Sequence, residues 1–73
     1  MAEIEKKLSS VVSEMIRLRR WMGHSQKKLS DNTGITRETI ARIEQNKTDP
    51  RLSTIEDLLL ALGYELRVVP LKK

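Results

Sequence analysis

Apolar residues recur at Ile4, Leu8, Val11, Met15, Leu18 and Met22, and this spacing of three to four predicts one amphipathic helix within the first 22 residues. Ser9 or Ser10 would serve as an N-cap, which leaves residues 1–8, or 1–9 at most, as an extension, a separate turn or a frayed end. Gly23 stops the helix. The pattern then shortens to two brief helices between Ser25 and Gln45. Ser25 caps the first, Gln26 to Thr33; Gly34 ends it, because glycine alone enters the left-handed region without steric cost; and Thr36 caps the second, Arg37 to Gln45. Leu29, Ile35, Ile40 and Ile43 fall where they close on one another and fix the angle between the two helices. Pro50 forbids continuation, and Ser53 with Glu56 three residues later reads as a capping box opening a helix through Leu62. Ile55, Leu58, Leu59 and Leu62 of that helix face the core, and Gly63 ends it.

After Gly63 the period changes from helical to alternating, with Tyr64, Leu66 and Val68 on one side and Glu65, Arg67 and Val69 on the other. Residues 64–70 read as a β-strand, with 71–73 as a tail. No other stretch supplies a partner strand, and an unpaired strand leaves backbone donors and acceptors without mates. The expected partner is the same strand of a second copy, antiparallel across a two-fold axis, with Tyr64, Leu66 and Val68 as dimerisation residues. A disordered tail is the alternative; the β-branched and aromatic content favours the strand.

A chain of 73 residues allows one domain, 1–63, ahead of that strand, and a core so small gains from self-association. Phe is absent, so the core must be aliphatic. A formal charge of +4 suits a polyanionic partner without requiring one. With no Cys there is neither a disulfide framework nor a thiolate metal site, which fits a reducing cytoplasm. His24 stands alone and reads as a solvated linker residue rather than a metal ligand. No signal peptide or membrane span is expected. Enzyme classes fare badly: one His, no Gly-rich phosphate loop and no acid pair with a shared cleft give no catalytic residues and call for no cofactor.

What remains polar between the two short helices is a surface. Arg37, Glu38, Ala41, Arg42 and Gln45 share one helical face, opposite Ile40 and Ile43. At Ser25-Gln26, Gly34-Ile35-Thr36, Thr39-Ile40-Ala41-Arg42-Ile43-Glu44, Lys47 and Pro50, the sequence resembles the Xre/Cro/cI family of phage-repressor-type helix-turn-helix proteins, over roughly Ser10 to Gly63. The resemblance implies a mainly α, five-helix DNA-binding domain whose third helix enters the major groove, usually as a homodimer on a palindromic operator. The Leu-Gly-Tyr-Glu-Leu ending, Leu62 to Leu66, looks in addition like the HipB-like antitoxins, whose dimers are sealed by a C-terminal strand pair and which repress their own toxin–antitoxin operon.

The resemblance implies roles residue by residue. Ser25 and Gln26 meet the DNA backbone, and Gln26 also braces the reading helix. The helix ends at Ser25 to Lys27 and Thr36 to Glu38 offer amides to phosphates. Arg37, Glu38 and Arg42 take base-edge positions; an arginine bonds guanine bidentately, whereas Glu38 either accepts from a cytosine amino group or forms an i,i+4 bridge with Arg42. Thr39, Gln45, Asn46, Lys47 and Arg51 are candidates for phosphate contact, with solvated charges or caps as the plain alternative. Asn46 stands where the family more often has glycine. Arg19 and Glu44 sit where the family places an internal ion pair; the plain alternative is two surface charges. Trp21 is compatible with a core lid, a dimer contact or exposure. Two functions follow as expectations: a sequence-specific DNA-binding regulator, and an antitoxin or adaptor that mainly binds a partner protein.

Overall fold

A computed structural model of the chain describes residues 2–71, with side chains from Ser10 onward. Met1, Lys72 and Lys73, and the side chains of Ile4 and Leu8 in the apolar stripe, lie outside the described residues. Four helices follow in order: α1 Ala2–Trp21, α2 Gln26–Thr33, α3 Arg37–Glu44 and α4 Leu52–Ala61. The first helix therefore includes the stretch left open by its alternative caps. None of the described helices is long and apolar enough to cross a membrane.

The helices bury one aliphatic core: Val12, Met15 and Leu18 of α1, Leu29 of α2, Ile40 and Ile43 of α3, Ile55, Leu58 and Leu59 of α4, and Leu62 just beyond it. Met15, Leu29, Ile40 and Leu58 are fully buried. α2 packs against both α3 and α4, and α1 against α3. Ile35, in the turn, packs half-buried against the same cluster. Met22, the last residue of the predicted stripe, instead lies past the end of α1 and is exposed. Gly23 explains the difference: its left-handed φ of 74° breaks the helix and carries the chain away toward α2 before the stripe completes another turn.

Capping fixes the helix-turn-helix. Ser25 Oγ accepts from Lys28 N at 3.0 Å and Thr36 Oγ1 from Thr39 N at 3.1 Å. Gly34, at φ 78°, donates its N–H to Ser30 O, so only Gly34, Ile35 and Thr36 separate α2 from α3. Thr33 adds a clasp that the sequence pattern did not single out. Its hydroxyl donates to Leu29 O and accepts from Ile35 N, at 2.8 and 3.2 Å, and thereby holds the last turn of α2 against the start of the turn.

Three expectations are corrected. The described chain has four helices, not five, and it has no strand. After Gly63 (φ 87°), residues 64–71 run on without regular structure, because a single copy offers no edge for their backbone groups to pair with. Within the segment, Leu66 is half-buried against the core, whereas Tyr64 is partly exposed and Val68 wholly so. The capping box at Ser53 and Glu56 does not form: α4 begins two residues earlier than a Ser53 cap requires, with Arg51 at its N-cap and no side-chain cap bond. That helix end is solvent-exposed, so water satisfies its first amides.

A cavity in so small a core has few neighbours to collapse into it. Leu58→Ala is expected to lower the unfolding free energy by about 2–5 kcal/mol, read as a shift in urea midpoint at unchanged m-value; a loss under about 1 kcal/mol would mean that α4 is not part of the cooperative core.

Candidate nucleic-acid interface

The site is organised from behind. Arg19, on the last turn of α1, is buried, and its guanidinium reaches across to Glu44 at the end of α3. Nε donates to Glu44 Oε2 at 2.8 Å, Nη2 to Oε1 at 2.9 Å and Nη1 to the carbonyl of His24 at 2.8 Å. Both side chains are nearly inaccessible, at 9% and 6% exposure. Two parallel N–H···O bonds form the planar fork in which Arg and a carboxylate match best. Gln26, the first residue of α2, closes the network by donating from Nε2 to Glu44 Oε1 at 2.9 Å. The Glu44 carboxylate thus joins the end of α1, the start of α2 and the end of α3. His24 is half-buried in that loop rather than solvated, and its Nδ1 is buried without a hydrogen-bond partner among the described residues.

In front of this clamp, α3 turns its other side outward. Arg37, Glu38, Thr39, Arg42 and Gln45 are exposed, and Ala41 is half-buried between them. The described ion pairs are Glu14–Arg17, Arg19–Glu44, Lys27–Asp31 and Glu65–Arg67. The i,i+4 bridge between Glu38 and Arg42 is thus absent, and both side chains are without a partner among the described residues. Thr39 differs: its hydroxyl accepts from Thr36 Oγ1 at 2.8 Å, so both threonine hydroxyls are engaged in the cap. Past α3, Asn46 takes the left-handed conformation (φ 57°), and its N–H and that of Lys47 return to Ile43 O and Arg42 O at 3.0 Å. This closing turn leaves Asn46 and Lys47 exposed beside the end of α3, with Arg51 exposed at the start of α4.

The structure therefore brings Ser25, Gln26, Thr36, Arg37, Glu38, Thr39, Arg42, Gln45, Asn46 and Lys47 onto the two short helices and their flanks, with Arg51 one loop away. Trp21 is 79% exposed, which excludes a core role. Sequence reasoning missed the His24 carbonyl as an acceptor for Arg19, and no local signal marks it, since any backbone carbonyl in that loop is a candidate. Chemically, the arrangement is a rigid convex face bearing guanidinium, carboxylate and amide groups aimed at solvent. It is suited to a groove rather than to a small molecule.

Comparison with known proteins agrees with this geometry. A helix-turn-helix family model, HTH_3, matches residues 15–69. An uncharacterized HTH-type transcriptional regulator of Haemophilus influenzae is 41% identical over 63 residues, covering 86% of this chain and 64% of its own length. The HTH-type transcriptional regulator PuuR of Escherichia coli is 37% identical over 49 residues, 67% of this chain but 26% of that protein. The chain thus spans less than two thirds of either regulator. Among solved structures, one described as a toxin–antitoxin module from Streptococcus pneumoniae superposes with a TM-score of 0.78 at 41% identity, covering 96% of this chain and 79% of that one.

Removing one member of a buried pair strands the other. Arg19→Ala and Glu44→Ala are each expected to cost about 3–5 kcal/mol of unfolding free energy. The double replacement Arg19→Met with Glu44→Leu should recover most of that loss, and a double-mutant cycle by chemical denaturation measures it. Single costs under about 1 kcal/mol would reduce the pair to a surface contact.

Proposed function

The chain belongs to the Xre-type helix-turn-helix family, and from that premise we propose that it is a sequence-specific DNA-binding transcriptional regulator, a repressor that occupies a palindromic operator as a homodimer. One observation carries the reading: Arg37, Arg42 and Gln45 stand exposed on a helix whose opposite side is buried at Ile40 and Ile43 and whose end is clamped through Glu44. The clamped backbone places these side chains before binding, so only their own rotamers remain to be ordered, and α3 is the element that enters the major groove. Arg37 and Arg42 take guanine edges. Ser25, Gln26, Thr36, Lys47 and Arg51 contact phosphates and sugars, which sets position without reading sequence, and Asn46 shapes the turn that presents Lys47.

Residues 1–63 carry these contacts, and residues 64–70 make the dimer. Val68, Val69 and Leu71 are exposed at 103%, 72% and 78%, beside a groove of about 480 Å³ lined chiefly by Val11, Val12, Leu52, Ile55 and Leu66. Pairing the extended segments antiparallel across a two-fold axis satisfies their backbone groups and covers this apolar strip. A second copy is also what affinity demands, since one module buries only about 600–1,000 Å² on DNA.

The Streptococcus pneumoniae neighbour favours a second reading, in which the same protein is an antitoxin that neutralises a partner toxin and represses its own operon. The two readings separate on one test. If the adjacent reading frame encodes a toxin, its expression should arrest growth, and co-expression of this chain should relieve the arrest; a neutral neighbour leaves the regulator alone.

Arg42→Ala is expected to cost about 1–3 kcal/mol on a selected operator and little on random duplex, whereas Lys47→Ala should weaken both alike and reduce the salt slope by about 1. Equal losses for Arg42→Ala on both DNAs, measured by fluorescence anisotropy, would remove its base-reading role. Val68→Asp should sediment as a monomer; a persistent dimer would show that the C-terminal segment is not the interface.

A further inference from the structure

Glu38 is out of place on a face that is to meet DNA. It lies in the first turn of α3, beside Arg37 and one turn from Arg42, on a surface where a carboxylate repels phosphate. Its chemistry would be unremarkable if it were spent inside the protein, but it is not. Arg42, four residues on and in reach, is left unbridged, and no other donor among the described residues bonds the Glu38 carboxylate. The neighbouring polar groups are already committed: Thr36 Oγ1 accepts from Thr39 N and donates to Thr39 Oγ1. Glu38 therefore presents two acceptor oxygens that no protein donor among the described residues occupies, on the first turn of a capped helix.

Major-groove chemistry says what such a group takes. Guanine offers two acceptors at its edge and thymine one acceptor and a methyl, so both repel or waste a carboxylate. Adenine offers an amino donor beside the N7 acceptor, and an ionised carboxylate has no hydrogen for N7. Cytosine alone presents an amino group with no competing acceptor at its major-groove edge. We propose that Glu38 is a base-selecting residue that makes recognition conditional on a cytosine at one fixed position of each half-site and lowers affinity for all other DNA. This rests on the DNA-reading role of α3 argued above. The carboxylate also interacts favourably with the N-terminal end of α3, but that contribution is the same for every DNA sequence and leaves base preference unmoved.

The test selects bound duplexes from a randomised library with the full 73-residue chain and with Glu38→Gln and Glu38→Ala. The wild type should enrich sites with an invariant cytosine in each half-site. Glu38→Gln, which can both donate to N7 and accept from the amino group of adenine, should move that position alone to adenine, with a swing of roughly 5- to 150-fold between the two bases. Glu38→Ala should lose preference there and bind random duplex more tightly than the wild type. If both variants keep the wild-type preference at every position, the proposal is overturned while the DNA-reading role of α3 stands. If the wild type enriches no sequence and shows no salt-dependent affinity for duplex, that role fails and takes the proposal with it.

Discussion

The arrangement of this small domain depends on one buried guanidinium. Arg19 gives three hydrogen bonds, two to Glu44 and one to the His24 carbonyl, and Glu44 accepts a further bond from Gln26. Apolar contacts among Leu29, Ile40 and Ile43 resist separation of the helices, but they are non-directional and tolerate rotation of one helix against another. A forked ion pair does not. It specifies an angle as well as a distance, and the angle it specifies is that of α3 relative to α1 and α2. The exposed Glu14–Arg17 pair on α1 shows the contrast. There the hydrogen bond from Arg17 holds the Glu14 carboxyl below its ordinary pKa, yet in open solvent it orders nothing beyond its own helix.

Because orientation is fixed from behind, the outer face of α3 is free to carry groups that contribute nothing to folding. Arg37, Glu38, Arg42 and Gln45 are exposed, and the first three are charged. The side toward the core is constrained by packing, while the side toward solvent is constrained only by the ligand. Gln26 alone belongs to both parts. Its amide is tethered to Glu44 and retains a second hydrogen and its carbonyl oxygen for a contact outside, so whatever binds there is mechanically joined to α3.

The C-terminal segment is governed by a different physics. Helices satisfy their own backbone groups, so α1 to α4 form within a single copy. An extended segment satisfies its groups only against another edge, and residues 64–71 have none in one chain. Leu66 anchors the segment to the core, while Val68, Val69 and Leu71 remain in solvent. The alternating pattern is a property of the chain; the strand it describes does not form within one copy.

The sequence by itself determined the elements whose causes are local. Ser25 and Thr36 cap, Gly34 turns and Asn46 closes because each needs only its own backbone within a few residues, and the spacing of Leu29, Ile40, Ile43, Ile55 and Leu58 marks the buried faces. Signals of the same kind misled where solvent or a neighbour overrode them. Ser53 and Glu56 spell a capping box that lies inside α4 once the helix starts at Leu52, and Met22 continues a stripe that Gly23 interrupts. Only the tertiary structure decided which polar groups are spent and which are free. That Gln26 and a loop carbonyl share the Arg19–Glu44 network, and that Glu38 and Arg42 ignore each other one turn apart, are outcomes of distances between residues far apart in the chain or of a choice between solvent and neighbour. Periodicity records which side of a helix faces in; it holds no information about which donor finds which acceptor once the helices have met.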